Sequence, residues 1–269
     1  MQPQPQDTPG TPVSHRQHTT ATVLDHPIVS SRYFFPRAES FTDPFWIEAG
    51  DGSRLACYYL QVDPAAKTVV YFHGNGEVVA DYLPEFPAWI ARAGHNVVLA
   101  EYRGYGMSTG QPTLVSMLDD VTAIVQHLGV PEQRIVLFGR SIGSLHAVHG
   151  AYKHPQIGGL ILESGISDLT ERFFQRVDPA ELGRSRAEIV DELRHYFDYA
   201  TKLAGFQGRT LILHTRFDEL VPVHHADRLY AAAPEPKVLH IFEQGGHNDI
   251  FYRNRDAYMQ LVENFLATI

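Results

Sequence analysis

The sequence predicts an α/β fold with a mostly parallel eight-stranded sheet and helices on both of its faces. Short apolar runs alternate with longer stretches of helical periodicity, which is typical of a parallel sheet covered by helices. The first two runs are joined directly by Gly50-Asp51-Gly52, a strong hairpin signal, so the sheet should begin antiparallel. With 269 residues, 44% of them hydrophobic, the chain can form one large domain with a substantial core.

The predicted strands are spread along most of the chain. In order they are Pro44 to Glu48, Arg54 to Val62, Thr68 to Phe72, Asn96 to Glu101, Arg134 to Phe138, Gly159 to Leu162, Arg209 to His214 and Lys237 to Phe242. After them, apolar residues spaced by four predict a closing amphipathic helix, with Tyr258, Val262 and Leu266 on one stripe.

The beginning of the chain departs from this pattern. Residues 1–22 are rich in Gln, Pro, Thr and Ser and contain little that can be buried. We therefore expect a disordered tail there, followed by a single domain at 23–269. Just inside that domain, Tyr33, Phe34 and Phe35 should form an extended segment packed against it.

The link after the sixth strand is too long for an ordinary connection between a helix and a strand. Leu169, Phe173 and Val177 form one helical stripe, and a capping box at Ser185 to Glu188 opens another. Residues 165–207 are therefore expected to form a small helical lid. The alternative is a longer helical covering that has no role at the functional site.

The stretch from Arg134 to Gly150 predicts a strand, a sharp turn and a helix, with Ser141 at the apex of the turn. Gly139 and Gly143, two positions either side of the serine, let the backbone turn that tightly. A serine held in this way is typical of a nucleophile, although Gly-x-Ser-x-Gly alone is weak evidence. The alternative is a surface serine on an ordinary strand-to-helix turn.

A serine hydroxyl needs a neighbouring base, which is itself oriented by a carboxylate. Asp218 lies in the loop after the predicted strand Arg209 to His214, and His247 lies in the loop after the last strand. We therefore expect Asp218 as the acid and His247 as the base. The plainer alternatives are a helix cap for Asp218 and an ordinary loop histidine for His247.

Attack on an acyl carbonyl also requires donors for the oxygen that becomes negative. The backbone N–H of Ile142, directly after the serine, should supply one. The turn His73-Gly74-Asn75-Gly76 follows a predicted strand and should supply the other through the N–H of Asn75. The alternative for this turn is a plain strand-to-helix loop.

Five motifs occur in order along the chain: His73-Gly-Asn-Gly-Glu77, Tyr102-Arg-Gly-Tyr-Gly-Met-Ser-Thr-Gly110, Gly139-Arg-Ser-Ile-Gly143, Asp218-Glu-Leu-Val-Pro222 and Gly245-Gly-His-Asn-Asp249. Together they resemble the serine-hydrolase branch of the α/β-hydrolases, in particular the serine-aminopeptidase-like and protein-depalmitoylase-like hydrolases. The resemblance runs from about Phe41 to Ile269. It implies the α/β-hydrolase fold and a catalytic triad in the order Ser141, Asp218, His247.

Some residues depart from that branch or have no assigned role in it. Thr215 stands where the loop before the acid usually has glycine, which could alter the loop without removing the acid. The tail has none of the cysteines that anchor the depalmitoylases, so no stable membrane anchor is expected. Arg140, beside the serine, either pairs with Glu163 at the end of the next strand or is exposed.

Composition limits the partners of the chain. The formal net charge is −9 and no cluster of lysines and arginines occurs, which argues against binding to nucleic acid. No apolar run is long enough to span a membrane, and no secretory leader is recognisable. Cys57, the single cysteine, should be a buried and inert thiol. These features predict a cytoplasmic protein, with no indication of its oligomeric state.

No cofactor and no metal are expected. The run from Gly104 to Gly110 loosely resembles a dinucleotide fingerprint, but Gln111-Pro112 after it is a poor helix opening for a pyrophosphate. Four histidines could suggest a metal site: His146, His149, His224 and His225. None of them has a carboxylate or cysteine partner at the spacing of a metal ligand.

The sequence therefore predicts a serine hydrolase that cleaves a carboxylic ester or thioester through an acyl-enzyme on Ser141. Lid aromatics should form an apolar wall: Phe173, Phe174, Tyr196, Phe197 and Tyr199. The alternative is a serine aminopeptidase or amidase acting on a short peptide. An acidic lid residue would then hold the α-amino group: Glu171, Asp178, Asp191 or Glu192. A non-enzymatic binding protein with the same fold is a third, weaker hypothesis.

Overall fold

The computed structural model describes residues 22–269 and contains one sheet of eight strands. In chain order they are β1 (Phe45–Glu48), β2 (Arg54–Leu60), β3 (Thr68–Phe72), β4 (Asn96–Ala100), β5 (Ile135–Arg140), β6 (Gly159–Glu163), β7 (Arg209–Thr215) and β8 (Lys237–Phe242). Across the sheet the order is β1-β2-β4-β3-β5-β6-β7-β8. β2 is antiparallel to both of its neighbours, and the remaining pairs are parallel. The predicted fold class is confirmed.

Helices connect and cover these strands. Within residues 22–269 they are α1 (Pro27–Tyr33), α2 (Glu85–Arg92), α3 (Ser116–Leu128), α4 (Gly143–Lys153), α5 (Thr170–Phe174), α6 (Arg186–Phe197), α7 (Tyr199–Leu203), α8 (His224–Ala232), α9 (Ile250–Arg253) and α10 (Arg255–Ala267). Short 3-10 turns occur at Val23–Asp25, Val79–Tyr82, Glu132–Arg134 and Pro179–Leu182.

The core consists of two apolar layers, one on each face of the sheet. In β3, Val70 and Phe72 face one layer while Val69 and Tyr71 face the other, as the two-residue period of a strand requires. Helices α3, α4 and α8 pack on the first layer, and α2 and α10 on the second. The central strands are therefore buried on both faces, which is why they appear in the sequence as unbroken apolar runs.

The start of the described chain is more helical than the sequence indicates. Tyr33 is the last residue of α1, so the prediction of an extended segment is wrong at this residue. Pro27 opens the helix, where its missing N–H costs nothing. Phe34 has an extended backbone and is buried with Tyr33, whereas Phe35 is 51% exposed.

This N-terminal segment, residues 22–35, is tied to two parts of the domain. Asp25 accepts hydrogen bonds from the backbone N–H groups of Val115 and Ser116, at 2.7 and 3.0 Å, at the start of α3. The hydroxyl of Thr22 donates to Glu192 of α6. The predicted disordered tail, residues 1–22, lies outside the described residues except for Thr22.

The connection between β6 and β7 contains helices α5, α6 and α7. The predicted stripe of Leu169, Phe173 and Val177 is buried against the first core layer. The capping box is also present: the Glu188 N–H donates to Ser185 Oγ at 3.2 Å, and the Ser185 N–H donates to Glu188 at 2.7 Å. We call residues 165–207 the insertion.

Acidification should destabilise this fold, and His146 should account for part of the loss. It is buried on α4, with its ring stacked on that of Tyr102 at 4.8 Å between centroids. Burial lowers the pKa of His146 to about 3. The unfolded chain takes up this proton below about pH 6.5, whereas the folded chain does so only near pH 3. The free energy of unfolding should therefore fall as the pH drops through that window, by about 2 kcal/mol from this residue at pH 5.

His146→Leu removes this titration, so its loss of stability between pH 7.5 and pH 5 should be about 2 kcal/mol smaller than that of the wild type. Urea unfolding at the two pH values measures the difference. The same substitution at the exposed His127 serves as the control for the loss of a histidine side chain. Equal losses for wild type and His146→Leu would contradict the assignment.

Candidate active site

Ser141 lies at the sharp turn between β5 and α4, with a backbone φ of 52°. A residue other than glycine seldom adopts this left-handed conformation, so its surroundings must hold it there. A Cβ at Gly143 would lie 2.1 Å from the carbonyl oxygen of Phe72, and a Cβ at Gly139 would lie 2.4 Å from that of Gly143. The glycine spacing in the sequence therefore reflects the close approach of α4 to β3 and to the turn.

His247 joins Ser141 to Asp218. Its Nε2 lies 2.9 Å from Ser141 Oγ, and its Nδ1 lies 2.8 Å from Asp218 Oδ2. The three residues follow β5, β7 and β8, so the carboxyl ends of parallel strands bring them to one edge of the sheet. Asp218 and His247 are only 5% and 4% exposed. This geometry can pass the proton of the serine hydroxyl to the imidazole.

The environment of Asp218 keeps its carboxylate ionised. The backbone N–H groups of Leu220 and Val221 donate to its Oδ1 at 3.0 and 2.7 Å. Burial raises the pKa of Asp218, but the hydrogen bonds from His247 and Val221 outweigh burial, so the pKa lies below its ordinary value. An ionised Asp218 favours the tautomer of His247 with its proton on Nδ1, which leaves Nε2 as the base.

The turn after β3 is held in place by hydrogen bonds to the buried carboxylate of Glu101. Its Oε1 lies 2.8 Å from His73 Nε2, and its Oε2 accepts the N–H of Val79 at 3.0 Å. The hydroxyl of Tyr102 donates to the His73 carbonyl at 2.8 Å. A Cβ at Gly106 would lie 2.4 Å from Glu101 Oε2, so the glycine-rich loop is shaped around this carboxylate. The contacts of Glu101 and Tyr102 with His73 could not be predicted, because nothing in the motif spacing relates these two residues to His73.

The residues predicted to supply oxyanion donors, Asn75 and Ile142, both line the same cleft as Ser141. Across residues 22–269 the chain offers no hydrogen-bond acceptor to the backbone N–H of either residue. The role of these two amides as oxyanion donors stays a prediction. The side chain of Asn75 has another role, because its Oδ1 accepts the hydroxyl of Tyr105 at 2.8 Å and the N–H of Phe35 at 3.1 Å.

Arg140 is buried beneath the turn and pairs with two carboxylates. Its Nε lies 3.1 Å from Glu163 Oε1, which confirms the predicted pairing, and its Nη1 lies 2.7 Å from Glu77 Oε1. Its Nη2 also donates to the carbonyl of His247 at 3.1 Å. Burial lowers the pKa of Arg140, but the two carboxylates outweigh burial and raise the pKa above its ordinary value. The guanidinium is therefore charged and fully engaged.

The carboxylates that pair with Arg140 are themselves anchored. Glu163 accepts the hydroxyl of Tyr258 from α10, and Glu77 accepts that of Tyr82. Glu77 also accepts the backbone N–H of Gly74 at 2.6 Å, directly before Asn75. We call Glu77, Arg140 and Glu163 the ion-pair network. It connects the turn after β3, the turn at Ser141 and the loop that contains His247.

Ser141 opens into a cleft with about 130 Å³ of solvent-accessible space. Its apolar wall includes Tyr33 and Phe35 of the N-terminal segment, together with Ile166 and Val221. The expectation that aromatic residues of the insertion form this wall is wrong. None of the five predicted aromatics lines the cleft, and the two best buried of them lie in the core: Phe173 and Phe197.

Comparison with known proteins identifies the family. The protein YfhR of Escherichia coli O157:H7 is 30% identical to this chain over 232 residues, which cover 82% of this chain and 78% of YfhR. The chain belongs to the α/β-hydrolase superfamily. Within it, a family model described as serine aminopeptidase, S33, matches residues 63–180.

Other relatives of this α/β-hydrolase agree with its fold. The α/β-hydrolase domain-containing protein WAV2 of Arabidopsis thaliana is 27% identical over 240 residues, covering 83% of this chain and 78% of WAV2. An esterase from Pyrococcus furiosus superimposes with a TM-score of 0.68, covering 87% of this chain and 98% of its own. Its sequence identity is only 17%, so this likeness shows the shared fold alone.

Residues that suggested a cofactor or a metal have other surroundings. The N–H of Gly104 donates to the carbonyl of Thr109 at 3.1 Å, so the loop after β4 turns back on itself. No group of three or more His, Cys, Asp or Glu side chains is placed to hold a metal ion anywhere in 22–269. In the same residues, every helix is too short or too polar to cross a membrane.

Removing the central charge of the ion-pair network should destabilise this α/β-hydrolase. Arg140→Met leaves the buried Glu163 without its counter-charge, and it frees Glu77 from its partner. The free energy of unfolding, measured by urea denaturation, should fall by about 3–5 kcal/mol. Arg140→Lys keeps a charge but cannot bridge both carboxylates and the His247 carbonyl, so it should lie between wild type and Arg140→Met. A Met variant as stable as the wild type would show that the network contributes nothing to folding.

Proposed function

We propose that this α/β-hydrolase is a serine hydrolase that cleaves a carboxylic ester or thioester through an acyl-enzyme on Ser141. The observation that carries the proposal is the hydrogen-bonded chain from Ser141 through His247 to Asp218, whose serine end lines an open cleft. A chain of this kind activates a hydroxyl that is otherwise a poor nucleophile at neutral pH.

In the proposed reaction, His247 Nε2 takes the proton of Ser141 as Oγ forms a bond to the acyl carbonyl carbon. The carbonyl electron pair moves onto its oxygen, where the backbone N–H groups of Asn75 and Ile142 stabilise the negative charge. The tetrahedral intermediate then expels the alcohol or thiol, which receives its proton from His247. Water attacks the acyl-enzyme with His247 again as the base, releasing the carboxylic acid and restoring Ser141.

The charges around the cleft support an ester or thioester over a peptide with a free α-amino group. The only carboxylate among the cleft-lining residues of the described chain is Glu77, and it is paired with Arg140. The acidic residues considered for an aminopeptidase lie elsewhere: Glu171 and Asp191 are exposed, Asp178 caps a 3-10 turn and Glu192 accepts Thr22. Aminopeptidase or amidase activity therefore remains the second candidate, favoured by the S33 family model.

The insertion acts in this proposal as a partial lid. Its first part reaches the cleft, where Ile166, Arg172 and Arg176 contribute to the wall. Its longest helix, α6, packs instead on the N-terminal segment and on the core. A purely structural covering would have no side chains at the cleft, and a non-enzymatic binding protein would have no need of a base held on Ser141.

Ser141→Ala should abolish activity while leaving the fold intact, because it removes only the nucleophilic oxygen. Hydrolysis of short p-nitrophenyl esters should fall by roughly 10⁴-fold or more, and labelling by a fluorophosphonate probe should disappear. Ser31→Ala, at an exposed serine of α1, is the matched control and should keep both. Unchanged labelling of Ser141→Ala would disprove the proposed nucleophile.

A substrate panel separates the two candidate activities. The wild-type protein is offered acyl p-nitrophenyl esters and thioesters beside aminoacyl p-nitroanilides of similar size. We expect kcat/KM to be larger for the esters, since no carboxylate of the cleft is available to bind an α-amino group. A preference for the aminoacyl anilides that depends on Ser141 would support the aminopeptidase instead.

A further inference from the structure

Two arginines of the insertion line the cleft beside Ser141. Arg172 lies on α5 and Arg176 lies just after it, and both side chains are half-buried. One N–H of Arg172 donates to the carbonyl of Leu220, in the loop that carries Asp218. One N–H of Arg176 donates to the carbonyl of Arg32 at 3.0 Å. Each guanidinium is therefore held in place by a neutral backbone group.

Neither guanidinium is neutralised. Over residues 22–269, no carboxylate oxygen lies within 4.0 Å of Arg172 or Arg176, whereas two arginines close to them, Arg32 and Arg140, are paired. Arg32 is bonded to Glu181, and Arg140 to the carboxylates of the ion-pair network. The neighbours of Arg176 are aromatic: its guanidinium carbon lies 5.4 Å from the ring centroid of Tyr33 and 5.3 Å from that of Phe35.

We propose that Arg172 and Arg176 bind an anionic group of the substrate, a carboxylate or a phosphate, while its acyl carbonyl lies at Ser141. This inference rests on the proposed hydrolase function and names the class of ester that the site selects. The anion lies on the insertion side of the cleft, and the scissile bond lies on the side of the ion-pair network.

The chemistry of arginine supports this assignment. A guanidinium has five N–H donors in a planar fork, of which each residue commits only one to the observed backbone contact. The remaining donors match the geometry of a carboxylate or phosphate, and partial burial strengthens the interaction relative to that in water. Cation–π contacts with Tyr33 and Phe35 restrict Arg176 before the substrate arrives, which reduces the entropy lost on binding.

The surrounding charge makes the two arginines selective. The whole chain carries a formal net charge of −9, so its overall field disfavours the approach of an anion. A pair of unneutralised cations within one narrow cleft is therefore a local exception that attracts one. The same two charges repel the ammonium group of an amino-terminal substrate, which makes an aminopeptidase a poorer fit for this cleft.

The test uses esters in matched pairs that differ in charge. For an anion on the acyl side, monoethyl adipate is compared with ethyl hexanoate. For an anion on the leaving group, para-acetoxybenzoate is compared with its methyl ester. The compound para-acetoxyphenyl phosphate replaces that carboxylate with a phosphate, so the arms distinguish the two anions. The measured quantity is the ratio of kcat/KM for each charged ester to that of its neutral partner, and the methyl ester of para-acetoxybenzoate serves as the neutral partner of the phosphate too.

In the wild type we expect this ratio to be about tenfold or more for at least one charged ester and to fall as salt is added. The double variant Arg172→Gln/Arg176→Gln should lose most of the preference. Arg172→Lys/Arg176→Lys keeps the charge without the fork and should retain part of it. Arg194→Gln, at an exposed arginine of α6 in the same insertion, is the matched control and should keep the wild-type ratio.

The outcomes separate this inference from the function on which it rests. Turnover of neutral esters that requires Ser141, with no preference for any charged ester, overturns the inference alone. So does a preference that survives in a folded Gln double variant. If that variant fails to fold, two other results take its place. A preference that the Lys variant keeps in full, or a wild-type preference that added salt does not reduce, overturns the inference. Turnover of no ester, or turnover that persists in Ser141→Ala, overturns the proposed function and this inference with it.

Discussion

The two ion pairs of Arg140 hold together segments that are far apart along the chain but meet at one edge of the sheet. Arg140 ends β5, Glu163 ends β6 and Glu77 lies in the turn after β3, while the carbonyl of His247 belongs to the loop after β8. A buried ion pair is weak evidence for stability, because desolvation offsets much of the Coulomb attraction. Its clearer effect here is geometric, since a shift of any one loop would break a charged hydrogen bond.

The ion-pair network is part of the surroundings that hold Ser141 in its strained backbone conformation. A positive φ at a serine is unfavourable by itself and persists only when the surroundings determine it. The small glycines around it allow α4 to approach β3, and the neighbouring Arg140 fixes the end of the strand on which the turn begins. The turn at Ser141, the turn after β3 and the loop that contains His247 are thus positioned by packing and charge together.

Much of this arrangement could be predicted from the sequence. The central strands are buried on both faces, so each appears in the sequence as an unbroken apolar run. The residues after β5, β7 and β8 meet at one edge of the sheet because these strands are parallel. The walls of the cleft could not be predicted. Tyr33 and Phe35 are remote in sequence from Ser141, and no local pattern relates them to it. In the insertion, helical periodicity correctly placed Phe173 on an apolar stripe. That stripe faces the core and not the cleft, as the apolar stripe of a helix usually does.

The same periodicity explains why the polar side of the insertion, and not its apolar side, reaches the cleft. Once Phe173 and Val177 turn toward the core, Arg172 and Arg176 must lie off that stripe, and the structure has them at the cleft. Arg172 also contacts the acid loop, because it donates to the carbonyl of Leu220 while the N–H of Leu220 donates to Asp218. One residue thus connects the insertion to the carboxylate that orients His247. Under the proposed function, a substrate anion held by Arg172 would therefore act on the loop that carries Asp218, so substrate binding and the hydrogen bond between Asp218 and His247 would share one support.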